Sequence, residues 1–163
     1  MSNESVKTIS KFLNEEIEID NAIEIKMEAR QENEKLARNL IASFLLELNP
    51  SIEEISDVKT VISEAVTNCI VHGYNKGRGV ITIQAKLARN YLFIKIVDNG
   101  VGISDIKKAM QPFFTTKPNE ERSGMGFTVM ETFMDELVVE NNPNGGLIVC
   151  MSKEIKSAEN VAV

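Results

Sequence analysis

The sequence predicts an α/β (α+β) two-layer sandwich, with three main helices on one face of a mixed, mostly antiparallel sheet. Two patterns carry this. Five short apolar-rich segments bounded by turn signals read as strands, and the run from Ala22 to Ala29 alternates apolar and polar residues, the period of a half-buried strand. Three longer segments repeat their apolar residues at helical spacing. With 163 residues, 43% hydrophobic and 26% charged, the chain suits a single domain able to bury its own core.

Residues 1–21 are polar with scattered Ile9, Phe12, Leu13 and Ile17, and are expected to form a poorly ordered extension, partly helical and weakly docked. Residues 22–155 form the folded domain, and 156–163 a frayed tail. From Ala22 to Ala29, Ile23, Ile25 and Met27 alternate with Glu24, Lys26 and Glu28, which predicts a strand. Leu36, Leu40, Ile41, Phe44, Leu45 and Leu48 predict a helix over 31–48, ended by Asn49-Pro50. Ser51 and Glu54 have capping-box spacing, and the helix they open is expected to reach about His72, where Gly73 stops it. Val80–Leu87 and Tyr91–Val97 read as a hairpin. A short helix over 104–110 precedes a polar, proline-containing loop from Gln111 to Ser123, of the length that lids and binding loops have. A helix over 126–134 and a closing hairpin of 136–140 with 147–151 complete the domain. The sheet face away from the helices is expected to stand largely open to solvent or a partner.

The net charge is −6 and no basic run occurs, which argues against direct nucleic-acid binding. No apolar run reaches the roughly 18–20 residues of a membrane span. The N-terminus lacks the basic and apolar regions of a signal peptide, so a cytoplasmic protein is expected. Cys69 and Cys150 sit within apolar patterns and read as buried, reduced thiols. One histidine, His72, is too few for a zinc cluster.

Three short motifs carry chemistry. On a helical wheel at ~100° per residue, Glu64, Asn68 and His72 fall at about 0°, 40° and 80°. The apolar set Val58, Val61, Ile62, Ala65, Val66 and Cys69 occupies about 60° to 200° on the same wheel. Glu64 and Asn68 therefore line the border of the buried face. A carboxylate there can act as a base and an amide oxygen can hold Mg²⁺, although a solvated helix border would look the same. Asp98 ends a strand and is followed by Gly100 and Gly102. It can accept a hydrogen bond from an exocyclic amine such as adenine's, and Asp-Asn-Gly is equally a turn signal. Gly124-Met125-Gly126 opens a helix, where free amides bind phosphate and where a glycine cap is also common. Thr115, Thr116, Lys117 and Arg122 lie just upstream, in reach of a polyphosphate or simply solvated. The P-loop, the His-Arg-Asp loop of eukaryotic-type kinases and the Gly-x-Ser-x-Gly elbow are absent.

In this order and spacing, the motifs resemble the N box and the two glycine boxes of the Bergerat (GHKL) ATP-binding superfamily, which includes gyrase, Hsp90, histidine kinases and MutL. Ser63-Glu64-Ala65-Val66-Thr67-Asn68 with His72-Gly73-Tyr74, Gln111-Pro112-Phe113-Phe114-Thr115-Thr116-Lys117-Pro118 and Arg122-Ser123-Gly124-Met125-Gly126-Phe127 are most similar to the anti-sigma-factor serine kinases, and among them to the anti-sigma-F factors of endospore-forming bacteria. The resemblance implies ATP and Mg²⁺, inhibition of a sigma-F-type sporulation sigma factor, and phosphorylation of a serine on a small anti-anti-sigma factor. By it, Glu64 is the base for the serine hydroxyl and Asn68 holds Mg²⁺. Asp98 reads adenine, with Gly100 and Gly102 shaping the pocket. Thr115, Thr116, Lys117 and Arg122 belong to a lid, and Gly124, Met125 and Gly126 lie at the phosphates. Arg38 falls on the partner-binding face, and a homodimer is implied, through sheet edges or the open sheet face. The N-terminal extension has no counterpart in this pattern, and the turn Lys76-Gly77-Arg78-Gly79 leaves the pocket rim open. A non-catalytic, nucleotide-gated sigma-binding module is the alternative, and Glu64 discriminates, because a pure binder needs no base. A sensor histidine kinase fits poorly, since His72 lies inside the nucleotide motif.

Overall fold

The expected strands form a five-stranded sheet of β1 (Asn21–Glu28), β2 (Val80–Ala88), β3 (Tyr91–Val97), β4 (Glu136–Asn141) and β5 (Leu147–Glu154), in the order β1-β2-β3-β5-β4. This is a computed structural model that describes residues 6–111 and 126–156. Between the strands run α2 (Gln31–Leu45), α3 (Ile52–Asn68), the short α4 (Ile106–Ala109) and α5 (Gly126–Phe133), and α1 (Val6–Leu13) precedes them.

The expected two-layer sandwich is present, and its sheet is more regular than the expected mixed one: every pairing among the described residues is antiparallel. The connections explain this. Two helices that pack as a pair, α2 and α3, join β1 to β2, and an even number of helical passes returns the chain antiparallel to its start. Strands β3 and β4 do run in the same direction, but β5 lies between them.

Period-two alternation sends Ile81, Ile83, Ala85 and Leu87 of β2, Leu92, Ile94 and Ile96 of β3, and Val149 and Met151 of β5 to one face, all buried. Ala37, Ile41 and Leu45 of α2, Val58, Val61, Ile62, Ala65 and Val66 of α3, and Met130 of α5 pack against them. Each fully buried aliphatic side chain contributes roughly 1.5–3 kcal/mol by area removed from water, so this interface dominates stability. The predicted capping box opens α3: Glu54 N–H donates to Ser51 Oγ at 3.0 Å and Ser51 N–H donates to Glu54 Oε1 at 3.0 Å. Asn49, at φ 50, turns the chain between α2 and α3.

Two expectations change. The α-helix predicted to reach His72 ends at Asn68, and Cys69–Gly73 forms a π-helical turn closed by Tyr74 N–H donating to the Cys69 carbonyl at 2.9 Å. The wider turn rotates His72 away from the position a regular wheel assigns it.

The outer sheet face is also not simply open. Helix α1 lies on it, with Ile9 and Phe12 only 2% and 1% exposed, packed with Ala88, Phe93 and Cys150. The Phe12 and Phe93 rings stack at 4.9 Å, and Ile9 N–H donates to Glu136 Oε2 at 3.2 Å. Residues 14–20 lead from α1 back to the sheet, where Asp20 N–H donates to the Leu87 carbonyl and Asp20 Oδ2 accepts from Arg89 N–H.

Candidate functional site

Strand β3 carries Asp98 out of the sheet at the level where α3 ends in its π-helical turn. Asp98 is 3% exposed. Its Oδ1 accepts from Gly100 N–H at 2.9 Å, its own N–H donates to the Leu147 carbonyl at 3.1 Å, and the Cys69 thiol hydrogen-bonds its side chain. Burial raises the Asp98 pKa above its ordinary value, and hydrogen bonds to its carboxylate from the Gly100 N–H, the Cys69 thiol and the Leu147 backbone oppose the rise. Burial first, then the Asp98 charge, pushes the Cys69 thiol well above its usual value. Both cysteines are free and buried, as expected. A carboxylate has about four lone-pair sites, so Asp98 keeps acceptor capacity beyond these donors.

The backbone around Asp98 is packed to the limit of contact. A Cβ on Gly73 would lie 3.1 Å from Asp98 Oδ1, one on Gly100 would lie 2.0 Å from the Gly73 carbonyl oxygen, and one on Gly146 would lie 2.1 Å from the Asp98 carbonyl oxygen. Val101 N–H donates to the Gly73 carbonyl at 3.0 Å and ties the two segments together. Gly102 and Gly146, at φ 69 and 94, adopt left-handed backbone open to glycine.

The helix border holds the second group. Glu64, Asn68 and His72 are each half-buried between buried neighbours, as the wheel predicts for the first two. Asn68 faces the start of α5, where a Cβ on Gly126 would lie 2.9 Å from Asn68 Nδ2. That glycine keeps the amide accessible at the mouth of the turn. Thr115, Thr116, Lys117, Arg122, Gly124 and Met125 lie outside the described residues. So the structure brings Asn68, Gly126, Asp98, Gly100 and Gly102 into one region, from segments far apart in the chain. No group of three or more His, Cys, Asp or Glu side chains suited to a metal occurs among the described residues. A single amide ligand at a glycine-cleared position fits Mg²⁺ held partly by nucleotide phosphates rather than by a protein cage.

Glu64 also borders a groove of about 560 Å³ between α2 and α3, lined in part by Arg38, Lys59, Thr60 and Ser63. Arg38 Nη1 donates to Glu34 Oε1 at 3.3 Å and to Ser63 Oγ at 3.4 Å, and Ser63 Oγ donates to Glu34 Oε1. Leu36, Leu40 and Ile52 are exposed on the same helix pair.

Sequence reasoning gave no role to two groups that shape the floor. Tyr74 Oη donates to the Val80 carbonyl at 2.5 Å and accepts from Asn99 N–H at 2.7 Å, and its ring fills the space where a Gly79 Cβ would sit. Asn141 grips Ile103 from both sides, Oδ1 accepting its N–H at 3.0 Å and Nδ2 donating to its carbonyl at 2.8 Å. Asn142 Nδ2 donates to Asn99 Oδ1 at 3.1 Å. The signal for Tyr74 was a tyrosine just after the helix stop with a glycine five residues on.

Comparison with known proteins agrees with this geometry. The histidine kinase-like ATPase domain family matches residues 27–153. A protein named anti-sigma F factor from a Thermoanaerobacter species is 53% identical over 141 residues, spanning 86% of this chain and 99% of its own. Those of Clostridium acetobutylicum and Geobacillus kaustophilus are 49% identical (86% of this chain, 99% of theirs) and 46% identical (85% and 96%). Among solved structures, the RsbU and RsbW domains of Rv1364c from Mycobacterium tuberculosis share the fold at TM-score 0.60 and 20% identity, covering 83% of this chain and 32% of that one. The catalytic domain of histidine kinase ThkA does so at TM-score 0.53 and 18% identity, covering 80% and 98%. The chain belongs to the histidine kinase-like ATPase family and, within it, to the anti-sigma F factors.

Proposed function

We propose that the chain is an ATP-dependent protein-serine kinase that also holds a sigma-F-type sporulation sigma factor inactive. The observation that carries the reading is the meeting of Asn68, Gly126 and the loop of Asp98 and Gly100 in one region from three separate segments. Asp98 accepts a hydrogen bond from the adenine amine, and Gly100 and Gly102 let the base lie against backbone. Gly124, Met125 and Gly126 offer amides to the phosphates, and Thr115, Thr116, Lys117 and Arg122 close over them. Mg²⁺, when bound, neutralises phosphate charge, with Asn68 as its protein ligand.

Phosphoryl transfer asks the protein for position and charge rather than covalent chemistry. The serine hydroxyl of the anti-anti-sigma factor approaches along the side of α3 that carries Glu64. Its proton passes to the Glu64 carboxylate as the Ser O–P bond forms and the γ-phosphoryl bond to ADP breaks. The α2–α3 groove ends at Glu64, and Arg38 on its wall offers a guanidinium to a partner carboxylate in exchange for Glu34. The protein acts in the cytoplasm, without direct nucleic-acid contact, and as a homodimer.

The test is incubation with γ-labelled ATP, Mg²⁺ and the purified anti-anti-sigma factor. Label should move to a serine with the wild-type chain and drop by at least roughly 10²-fold with Glu64→Gln, the scale of a lost general base. Sigma-factor binding without transfer by the wild-type chain would replace this reading with the nucleotide-gated binding module.

A further inference from the structure

The outer sheet face is apolar at its centre because of strand parity. Phe93 on β3, Cys150 and Ile148 on β5, Val138 on β4 and Ala88 on β2 all point away from the helical layer. Ala88, Phe93 and Cys150 are nonetheless no more than 1% exposed. Among the described residues, the element over them is α1, whose Ile9 and Phe12 complete this second apolar cluster.

The cover is slight compared with the surface it protects. Helix α1 has eight residues, fewer than an isolated helix needs to persist in water. Asn14, Glu15, Glu16 and Glu18 in the connection to β1 are exposed, and Glu15 sits at φ 56. Such a segment opens at lower free energy than the sheet beneath it. The anti-sigma F relatives are matched over 99% of their length by 141 of this chain's residues, and the matched ATPase family begins at residue 27. Helix α1 thus lies outside the matched ATPase domain.

When α1 leaves, it bares a contiguous apolar patch in the middle of a sheet, the kind of surface that proteins bury against a partner. A second copy carries the same patch, and a two-fold pairing buries both at once. The neighbouring charges suit that symmetry. Lys95 on β3 and Glu140 on β4, of opposite sign, flank β5 on this face, so a two-fold axis running along β5 sets β3 of one copy against β4 of the other and each charge near its opposite. Sheets packed face to face at about 10 Å use this kind of surface.

We infer that α1 is a displaceable cover that competes with a second copy of this chain for the outer face of the sheet. The inference rests on the homodimer proposed above and is read without nucleotide, sigma factor or kinase substrate, so its failure leaves the kinase reading standing. The experiment measures self-association by sedimentation for the full chain, for a chain starting at Asp20, and for full-length Phe12→Asp. Both variants should dimerise at least about tenfold more tightly than the full chain, tenfold being ~1.4 kcal/mol. Adding a peptide of residues 1–19 to the shortened chain should shift it back toward monomer. Equal dissociation constants for all three proteins would overturn the inference. So would monomeric variants that only melt earlier, or variants that form heterogeneous aggregates with no discrete dimer.

Discussion

Gly100→Ala tests whether the Asp98 floor is as tightly built as its distances say. The new Cβ would lie 2.0 Å from the Gly73 carbonyl oxygen, 2.4 Å from its carbon and 2.9 Å from Gly73 Cα, all backbone atoms that no rotamer change can move. Reaching ordinary contact near ~3.4 Å requires the two segments to part by over ~1 Å, an overpacking strain of about 1–3 kcal/mol. The same movement stretches the Val101 N–H to Gly73 hydrogen bond beyond its 3.0 Å and forfeits about 0.5–1.5 kcal/mol more. The total, about 1.5–4.5 kcal/mol, corresponds to a drop in Tm of roughly 3–18 °C for a chain of this size. Thermal melting by circular dichroism reads the loss, and ATP titration reads the displaced floor as weaker binding. Gly77→Ala is the control, since its Cβ meets one backbone atom at 3.0 Å in an exposed turn. A Gly100→Ala protein melting within about 2 °C of wild type, with unchanged ATP affinity, would refute the close-approach argument.

Other expectations follow from the same geometry. Gly126→Val should crowd the Asn68 amide and weaken Mg²⁺-ATP binding at least about tenfold in calorimetry, with a Tm change within a few degrees. Ser51→Ala should lower stability by about 0.5–2 kcal/mol in urea titration by removing the α3 cap, and leave ATP affinity unchanged. For Asp98, the folded pKa is raised, so the folded state holds the proton more tightly than the unfolded chain. Its contribution is therefore full below the ordinary carboxylate value of ~3.9 and is lost as pH rises through the folded pKa. Asp98→Asn should weaken ATP binding, and its urea midpoint relative to wild type should rise across that pH window and then level off. A pH-independent difference would show that Asp98 titrates normally.

Much of this was legible because one-sided burial leaves a period in the sequence. Strands β1 and β2 and the helices α2, α3 and α5 each carry such a stripe, and the α3 cap follows from Ser51 and Glu54 alone. The half-buried state of Glu64 and Asn68 came from the same wheel. What was missed depends on contacts that periodicity does not encode. The π-helical turn at Cys69–Gly73 is closed by Tyr74, and nothing in Cys-Ile-Val-His-Gly departs from a helical pattern. Helix α1 offers few apolar positions, enough to suggest a partly helical, weakly docked segment but not where it docks, since its partner Glu136 lies far along the chain. The loop Asn142–Gly146 reads as an ordinary hairpin turn, yet Gly146 and Asn142 buttress the backbone of Asp98 and Asn99.

The antiparallel order of the sheet explains why that buttress exists. Placing β5 between β3 and β4 sets the start of β5 beside the end of β3, so the Leu147 carbonyl receives Asp98 N–H and the closing turn stands against the loop after Asp98. The π-helical turn closes the other side through Gly73. Three backbones therefore meet around one buried carboxylate, and a side chain at 100 or 146 would meet backbone oxygen within 2.1 Å. This region is held in place by backbone contact rather than by side-chain packing. The Arg38, Glu34 and Ser63 cluster across α3 is built the opposite way, from long side chains whose ion pair is partly exposed. Glu34 also accepts from Ser63 Oγ, so its carboxylate keeps a hydrogen-bond partner if Arg38 swings away. The glycine-packed loops after α3 and the Arg38 cluster on its flank thus differ in kind, the first held by backbone and the second by side chains.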